Sequence, residues 1–542
     1  MTLLRYPWSL PPGGAMLAVM AGLYLVFGLV GHDPWKADDV THFGVAYGML
    51  EGSGWLVPRL AGEPFLAQPP LYYWLAAASG RLFGWLLPLH DAVRLASAAV
   101  GALYFFGMAA AARILFEPHA RSAAVLLALG CLGLLVHIHD TQPAVALLAA
   151  FAWTAYGLGR VLERPGKGAA YIGWAIGLGF LAAGLPALFI LVPLVLLLPL
   201  VSSHWRAAGP VAGILLGLAI AAIIASLWPL AVLRSQPAML GEWWVQSLKD
   251  LALDATLLPR LGRYLALLPW FAWPAFPLLL WTLWRQRHAL HTPGITIGAT
   301  GFAVTLVALG TLTDARSATA LPLLPPLVLL AVPAVGTLRR GAANGFDWFA
   351  MMAFGLFAAL VWLGWIAMLS GWPERLARQA AKIEPGFVLQ FSPLAFAIAL
   401  ALTLAWIWLV LAVPQSPYRG TLNWAAGITM FWGLAMTLWL PWIEYGKSYR
   451  MVSASLARAL PENHGCIAGR NLGEAQRASF HYFDRILTVR QANRAAASCR
   501  LLLVQYAGRN PPDSAPGSGW RKIWEDRRRG DRNELFRLYR KD

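Results

Sequence analysis

Three carboxylates stand at the borders of apolar segments, where they could share one chemistry. Asp38 and Asp39 are adjacent and follow the first apolar segment, and Asp140 ends the run "CLGLLVHIHD". Carboxylates are costly inside a bilayer and usually functional there. At its border a carboxylate can act as a general base on a hydroxyl or amine acceptor. We expect these three to converge on one external cavity; the alternative is that they are ordinary interfacial loop residues.

Three histidines, His42, His137 and His139, lie close to these carboxylates in the sequence. A site of histidine and aspartate ligands would suit a metal ion, but the spacing matches no strong zinc pattern. We expect hydrogen-bonding histidines at the membrane interface and no required cofactor. A divalent metal is the alternative.

The elements that must position these residues are membrane helices. The chain has 542 residues, 58% of them hydrophobic and 13% charged, whereas soluble domains carry about 25% charged residues. Apolar runs recur from residue 15 to residue 441, and a spanning helix needs about 20 such residues. The sequence therefore predicts a polytopic α-helical membrane protein.

Short basic loops stay cytoplasmic, so they set the orientation of the spans. Four short loops are basic, at 159–168, 202–206, 284–288 and 338–341. All four fall on the cytoplasmic side together with the N-terminus only if the apolar segment 69–87, which contains Arg81, does not span the membrane. Such a segment would be an amphipathic helix along the membrane surface or a re-entrant helix. About thirteen transmembrane helices then remain, and the C-terminal residues fall outside.

Two domains are expected, a transmembrane domain at 1–441 with a first external loop at 32–90, and a small external α/β domain at 442–542. The second part holds 19 Lys and Arg against 10 Asp and Glu. A basic face beside a membrane suits anionic lipid, and we expect no nucleic-acid partner because no motif for one is present. Cys466 and Cys499 could form a disulfide if the domain faces an oxidising compartment.

The segment "ADDVTHFGVAYGMLEGSGWLVPRLAGEPFLAQPPLYYW" (37–74) resembles the first external loop of the ArnT-like branch of the GT-C superfamily, which includes aminoarabinose transferases and protein O-mannosyltransferases. Asp140 matches an aspartate that the family has after its third span. The segment "YGKSYRMVSASLARALPENHGCIAGRNLGEAQRASFHYF" resembles the external C-terminal domain of the aminoarabinose branch.

The resemblance implies a GT-C fold and an inverting glycosyltransferase in the bacterial inner membrane. Such an enzyme moves a sugar from a polyprenyl-phosphate carrier to an acceptor on the periplasmic face, which could be a lipid A-like glycolipid, another glycan or a protein. The catalytic aspartate of the family falls on Asp38, with Asp39 as its helper.

The cations that the family places near the carrier phosphate are missing or shifted. Gln68 stands where a lysine precedes the Pro-Pro pair, although Tyr73 of the motif is kept. Arginine can hold phosphate oxygens through its planar fork, and each candidate could equally be an interface anchor that reaches to head groups. The candidates are Arg59, Arg81, Arg260, Arg263 and Arg316.

Two other functions remain open. A transporter with this fold is one, although transporters usually show internal repeats, and we find none in the sequence. A catalytically inactive relative that binds lipid or sugar is the other, and the lost lysines favour it.

Overall fold

The computed structural model describes residues 13–542 apart from 250, 252, 254, 463, 509–515 and 532. The expected cytoplasmic N-terminal segment, residues 1–12, lies outside this part. The described chain is mostly helical.

The first part of the chain is helical except for one short hairpin. The hairpin strands are β1 (Arg59–Leu60) and β2 (Glu63–Pro64), which pair antiparallel. The helices are α1 (Gly14–Val26), α2 (Asp38–Leu50), α3 (Leu71–Phe83), α4 (Leu89–Leu115), α5 (Ala120–Gly130), α6 (Ala144–Glu163), α7 (Pro165–Ala183), α8 (Leu185–Val201) and α9 (Ala208–Ser235).

Ten further helices follow before the C-terminal part. They are α10 (Pro237–Leu248), α11 (Leu257–Phe271), α12 (Ala275–Arg285), α13 (Pro293–Leu312), α14 (Ser317–Ala320), α15 (Leu324–Thr337), α16 (Arg340–Ser370), α17 (Glu374–Ile383), α18 (Pro393–Ala412) and α19 (Arg419–Leu438).

Among the described residues, seven helices are long and apolar enough to cross a membrane, or up to nine if two bent pairs are each one span. The bent pairs are α11 with α12, at 101°, and α19 with the helical stretch Leu440–Ala459, at 68°. The chain is thus a multi-pass membrane protein. The finer count of about thirteen spans stays a prediction, because α1, α5 and α8 are apolar but only 13, 11 and 17 residues long.

The segment 69–87 contributes α3, which has 13 residues and does not appear among the candidate spans. A helix of this length rises only about 20 Å, less than the thickness of the hydrocarbon core. Its partner α2 also has 13 residues, and the two helices pack against each other with the hairpin beside them. The buried residues of this cluster include Phe43, Leu60 and Tyr73.

Small residues let two of the long helices approach closely. Gly173 and Gly177 on α7 face Ile220 and Ile224 on α9, and a Cβ at either glycine would lie within 2.5 to 2.6 Å of an isoleucine Cβ. Small residues four apart are typical of close helix packing in membranes, where shape rather than hydrophobicity drives association. This pair of helices therefore forms a rigid part of the frame.

The C-terminal part is a small α/β unit. Its five-stranded sheet has the order β4-β3-β5-β7-β6, with β3 parallel to both β4 and β5 and the other pairs antiparallel. Cys466 and Cys499 are joined by a disulfide, with Cα atoms 5.1 Å apart. The elements are α20 (Leu440–Lys447), α21 (Arg450–Ala459), β3 (Ile467–Arg470), α22 (Glu474–Asp484), β4 (Thr488–Arg490), β5 (Leu501–Ala507), β6 (Trp520–Arg527) and β7 (Glu534–Lys541).

This α/β unit packs directly on the segment that carries the carboxylates. Gly44 of α2 meets Ala478 of α22 so closely that a Cβ at Gly44 would lie 2.6 Å from the Ala478 Cβ. Glu63 of the hairpin pairs with Arg477 at 3.0 Å and with Arg490 at 3.1 Å. The sheet and the first loop therefore hold each other in place.

Candidate functional site

The first turn of α2 presents Asp38 and Asp39 to different surroundings, because neighbouring residues on a helix point about 100° apart. The side chain of Asp39 is 2% exposed and accepts hydrogen bonds from the backbone N–H groups of Trp35, at 3.1 Å, and Thr141, at 2.8 Å. Arg94 forms an ion pair with it at 2.9 Å. Asp38 is half-buried, and its Oδ2 accepts one hydrogen bond, from Gln142 Nε2 at 3.3 Å.

The pKa of Asp39 reflects these partners. Burial alone would raise it, but the charge and hydrogen bonds of Arg94 outweigh burial and lower the pKa to about 2. A carboxyl with this pKa is ionised at neutral pH and is a poor proton acceptor. Asp39 therefore anchors the site, and Asp38 is the carboxylate left with free acceptor capacity.

Arg94 is a residue of this site that was not predicted from the sequence. It is fully buried at the start of α4, where it also donates to Asp91 Oδ1 at 3.0 Å and to the carbonyl of His32 at 2.9 Å. The sequence did contain a signal, because Asp91 and Arg94 stand three residues apart in an apolar helix, and charged residues there are usually paired and functional.

Asp140 lies in the loop that leads into α6, and a chain of hydrogen bonds fixes this loop. The backbone N–H of Gln142 donates to the Tyr72 hydroxyl at 2.9 Å, which donates to Ser97 Oγ at 2.5 Å. Ser97 Oγ in turn donates to the carbonyl of Asp140 at 2.6 Å. The loop therefore brings Asp140 and Gln142 close to the carboxylates of α2.

The side chain of Asp140 is 15% exposed and lies 3.7 Å from His137 Nδ1. Burial raises the pKa of Asp140, His137 opposes this, and the nearby charge of Asp39 adds to it. Asp140 therefore carries a proton more readily than Asp39 does.

His137 connects the carboxylates to a cationic region. Its Nε2 lies 3.0 Å from Ser317 Oγ, and Ser317 follows Arg316, whose side chain is exposed. Asp314, in the same loop, pairs with Arg260 at 3.2 Å and with Arg263 at 3.3 Å. Three of the five candidate arginines therefore gather at the loop that His137 touches.

The other two candidate arginines are not brought to this region by any described contact. Arg59 donates to the carbonyl of Gly62 at 3.0 Å and so closes the hairpin. Arg81 is exposed in the last turn of α3. Their proposed part in phosphate binding stays a prediction with no contact to support it.

Gln68 belongs to a chain of three polar side chains. Tyr73 donates its hydroxyl proton to Gln68 Oε1 at 2.9 Å, and the same hydroxyl lies 2.8 Å from His42 Nδ1. Because a tyrosine hydroxyl has only one proton, His42 must donate through Nδ1, which leaves Nε2 unprotonated. Burial lowers the pKa of His42 to about 4, so the ring is neutral at physiological pH.

The three histidines close to the carboxylates in sequence, His42, His137 and His139, contact different partners. His139 is buried against α1, where Nε2 lies 2.6 Å from the carbonyl of Tyr24, and its ring stacks on Trp432. His42 contacts Tyr73, and His137 contacts Ser317. Within the described residues, no three His, Cys, Asp or Glu side chains come together as metal ligands.

This chain was compared with protein-family models, curated proteins and solved structures. Residues 67–228 match the family model described as dolichyl-phosphate-mannose-protein mannosyltransferase. Two curated relatives are named undecaprenyl phosphate-alpha-4-amino-4-deoxy-L-arabinose arabinosyl transferase. The one from Serratia proteamaculans is 28% identical over 53% of this chain and 52% of the relative. The one from Edwardsiella ictaluri is 29% identical over 66% of this chain and 64% of the relative.

The alignments thus span about half to two thirds of these relatives' length. Likeness of fold extends further. The crystal structure of ArnT from Cupriavidus metallidurans bound to undecaprenyl phosphate superposes with a TM-score of 0.69, at 16% identity, over 97% of both chains. Its apo form gives a TM-score of 0.68. The chain is therefore similar in part of its sequence to a mannosyltransferase family and to arabinosyl transferases, and it shares the fold of ArnT.

Proposed function

We propose that the chain is an integral-membrane inverting glycosyltransferase that takes a sugar from a polyprenyl-phosphate carrier and passes it to an acceptor. The observation that carries the proposal is the contrast between two neighbouring carboxylates. Asp39 is held by Arg94 and two backbone amides, whereas Asp38 is half-buried and has one weak partner. This contrast suits Asp38 as the general base and Asp39 as the residue that holds the start of α2 in place.

In the proposed reaction, Asp38 removes the proton of the acceptor as the acceptor oxygen or nitrogen attacks the anomeric carbon of the sugar. The new bond forms on the face opposite the carrier, the bond to the carrier phosphate breaks, and the phosphate leaves with the electron pair. One displacement inverts the anomeric carbon. Gln142, which donates to Asp38, orients the carboxylate so that a lone pair faces the acceptor.

The leaving phosphate gains negative charge in the transition state, and fixed cations stabilise such charge. Arg316 is exposed and precedes Ser317, which contacts His137. Arg260 and Arg263 lie at the same loop, where both pair with Asp314. We assign the cradle of the phosphate to this arginine group. Because arginines supply the positive charge, the proposal includes no metal, and turnover would survive EDTA treatment.

Location and finer specificity are part of the same proposal. We place the chain in the bacterial inner membrane with about thirteen spans, a cytoplasmic N-terminus and a periplasmic C-terminal domain. The disulfide between Cys466 and Cys499 supports this side, because disulfides persist in oxidising compartments such as the periplasm. The donor is a sugar on undecaprenyl phosphate, a pentose or a hexose, and the acceptor is a lipid A-like glycolipid, another glycan or a protein.

The first prediction concerns Asp38. The variant Asp38→Asn keeps the size and the contact with Gln142 but removes the base, so transfer should fall by about 10² to 10⁴-fold. The measurement is mass spectrometry of lipids and glycans from cells that lack the gene and carry the wild type or a variant. We expect the wild type to add one sugar that the variant does not.

Asp526→Asn, a change in strand β6 far along the chain, is the matched control and should behave as the wild type. Equal thermal stability of both purified variants would show that the loss is chemical. If Asp38→Asn cells carry the same sugar at the same level, the assignment of the base is wrong.

The second candidate function rests on Gln68, which replaces a lysine expected from the family pattern. A relative that binds the carrier lipid without transferring its sugar would leave the glycans of both strains identical. Retention of labelled carrier lipid by the purified chain, or its flux across proteoliposomes, would then favour a binding protein or a transporter.

A further inference from the structure

A cavity lies at the ends of the helices remote from the carboxylates. It has a volume of about 900 Å³ and is lined by parts of α1, α4, α5, α6 and α7. Helix α4 carries Arg94 near one end and Arg113 near the other, and α6 begins beside Asp140 and carries Arg160 in its last turn. At about 1.5 Å per residue, these ends lie roughly 25 to 30 Å apart, which is the thickness of a hydrocarbon core.

One end of this cavity is cationic. Arg113, Arg121 and Arg160 all line it, together with one acid, Glu163. Arg160 is held by Tyr156, whose hydroxyl accepts from Nε at 2.8 Å, and by Glu163 at 2.8 Å. Arg113 and Arg121 are exposed and have no ion-pair partner in the described part of the chain, so their charge is available to a ligand.

The rest of the cavity is apolar. Its wall is formed by small and aromatic side chains, among them Ala18, Ala21, Phe105 and Ala109. A ligand that fits must therefore combine an anionic head with a hydrocarbon body. A soluble anion would leave the apolar wall empty, and a neutral lipid would leave two arginines unpaired beside it.

We propose that this cavity binds an anionic phospholipid of the leaflet opposite to the carboxylate site, with its phosphate at Arg113 and Arg121 and an acyl chain along α1 and α4. Basic pockets between membrane helices bind such head groups on the cytoplasmic side. The neighbouring loop 159–168 is one of the short basic loops that the sequence places there. The site is independent of the proposed transfer reaction.

The experiment is native mass spectrometry of the full-length protein with phosphatidylglycerol and phosphatidylethanolamine. We expect the wild type to prefer phosphatidylglycerol and the double variant Arg113→Gln/Arg121→Gln to bind it roughly 30-fold more weakly, the effect of two basic contacts to an anionic head. The control Arg285→Gln/Arg287→Gln removes two charges from another short basic loop and should keep the preference.

A second variant tests the cavity without changing its charge. Ala109→Trp fills the apolar part and should displace phosphatidylglycerol, with the melting temperature measured to establish folding. The proposal is overturned if both cavity variants bind phosphatidylglycerol as the wild type does. It is also overturned if the control loses the preference equally, or if the wild type binds no phosphatidylglycerol.

Discussion

A carboxylate that removes a proton needs a free lone pair, whereas a carboxylate that fixes a fold should have none. In the proposed reaction, Asp38 and Asp39 divide these tasks over two adjacent positions. Asp39 accepts from Arg94 and from the backbone of Trp35 and Thr141, and its pKa of about 2 keeps it charged. The Asp39 side chain therefore holds both the segment before α2, through Trp35, and the loop before α6, through Thr141.

At the residue scale, the second prediction concerns Arg94. Removal of one partner from a buried ion pair leaves an uncompensated charge and costs about 3 to 5 kcal/mol. Arg94→Met should therefore lower the free energy of unfolding by this amount, because both Asp39 and Asp91 lose their partner. The measurement is denaturant unfolding in detergent.

Arg81→Met is the matched control for this change, since Arg81 is exposed at the end of α3, and it should shift the free energy by less than about 0.5 kcal/mol. Equal stability of the two variants would contradict the structural part given to Arg94.

Sequence reasoning at this scale found the residues that stand out by type and missed those defined by their partners. Asp38 and Asp140 were predicted because they interrupt apolar runs. Arg94 and Gln142 were not predicted. The spacing of Asp91 and Arg94 hints at a local ion pair, but it does not show that Arg94 meets Asp39, 55 positions away, or that Gln142 meets Asp38, 104 positions away. The contact between His137 and Ser317, 180 positions apart, was beyond reach for the same reason.

At the scale of elements, the C-terminal sheet illustrates what periodicity can and cannot show. The segments that became β3, α22, β4, β5 and β7 have clear apolar patterns. Strand β6 does not, because its side chains are mostly charged and it pairs only with β7 at the edge of the sheet. Edge strands are often rich in charge, which prevents further pairing.

The third prediction concerns the disulfide of this unit. It closes a loop with a sequence separation of 33 residues, for which chain entropy alone gives a stabilisation of about 3 to 4 kcal/mol. Reducing agent should therefore make the C-terminal sheet of the full-length wild type more sensitive to limited proteolysis. Cys466→Ser should be sensitive with or without reducing agent.

Cys131 supplies the control, because it is a buried free cysteine in the membrane part. Cys131→Ala should respond to reducing agent as the wild type does. If reduction leaves the digestion pattern of the wild type unchanged, the disulfide does not stabilise the sheet.

At the scale of the whole molecule, the carboxylate site and the arginine cavity lie at opposite ends of the same helices. The fourth prediction is that the two ends face different compartments. Lys167→Cys lies in the short basic loop 159–168, and Ser518→Cys lies in the C-terminal α/β unit, where it is exposed. In spheroplasts, an impermeant maleimide should label Ser518→Cys and should reach Lys167→Cys only after lysis.

The wild type should give little background, because Cys131 is buried and the other two cysteines are bonded to each other. Labelling of both positions on one side would refute the orientation. The count of spans is hard to obtain from sequence, since hydropathy does not report where a helix breaks or bends.

The hydrogen bonds that join Gln68, Tyr73 and His42 have a consequence for how this site can change in evolution. Gln68 accepts the tyrosine proton, whereas a lysine could only donate, which would turn the tyrosine toward His42 and move the ring proton to Nε2. Glutamine and lysine codons differ at their first base alone. One nucleotide therefore separates a His42 that accepts at Nε2 from one that donates there, and a lineage can pass between the two forms in a single mutational step.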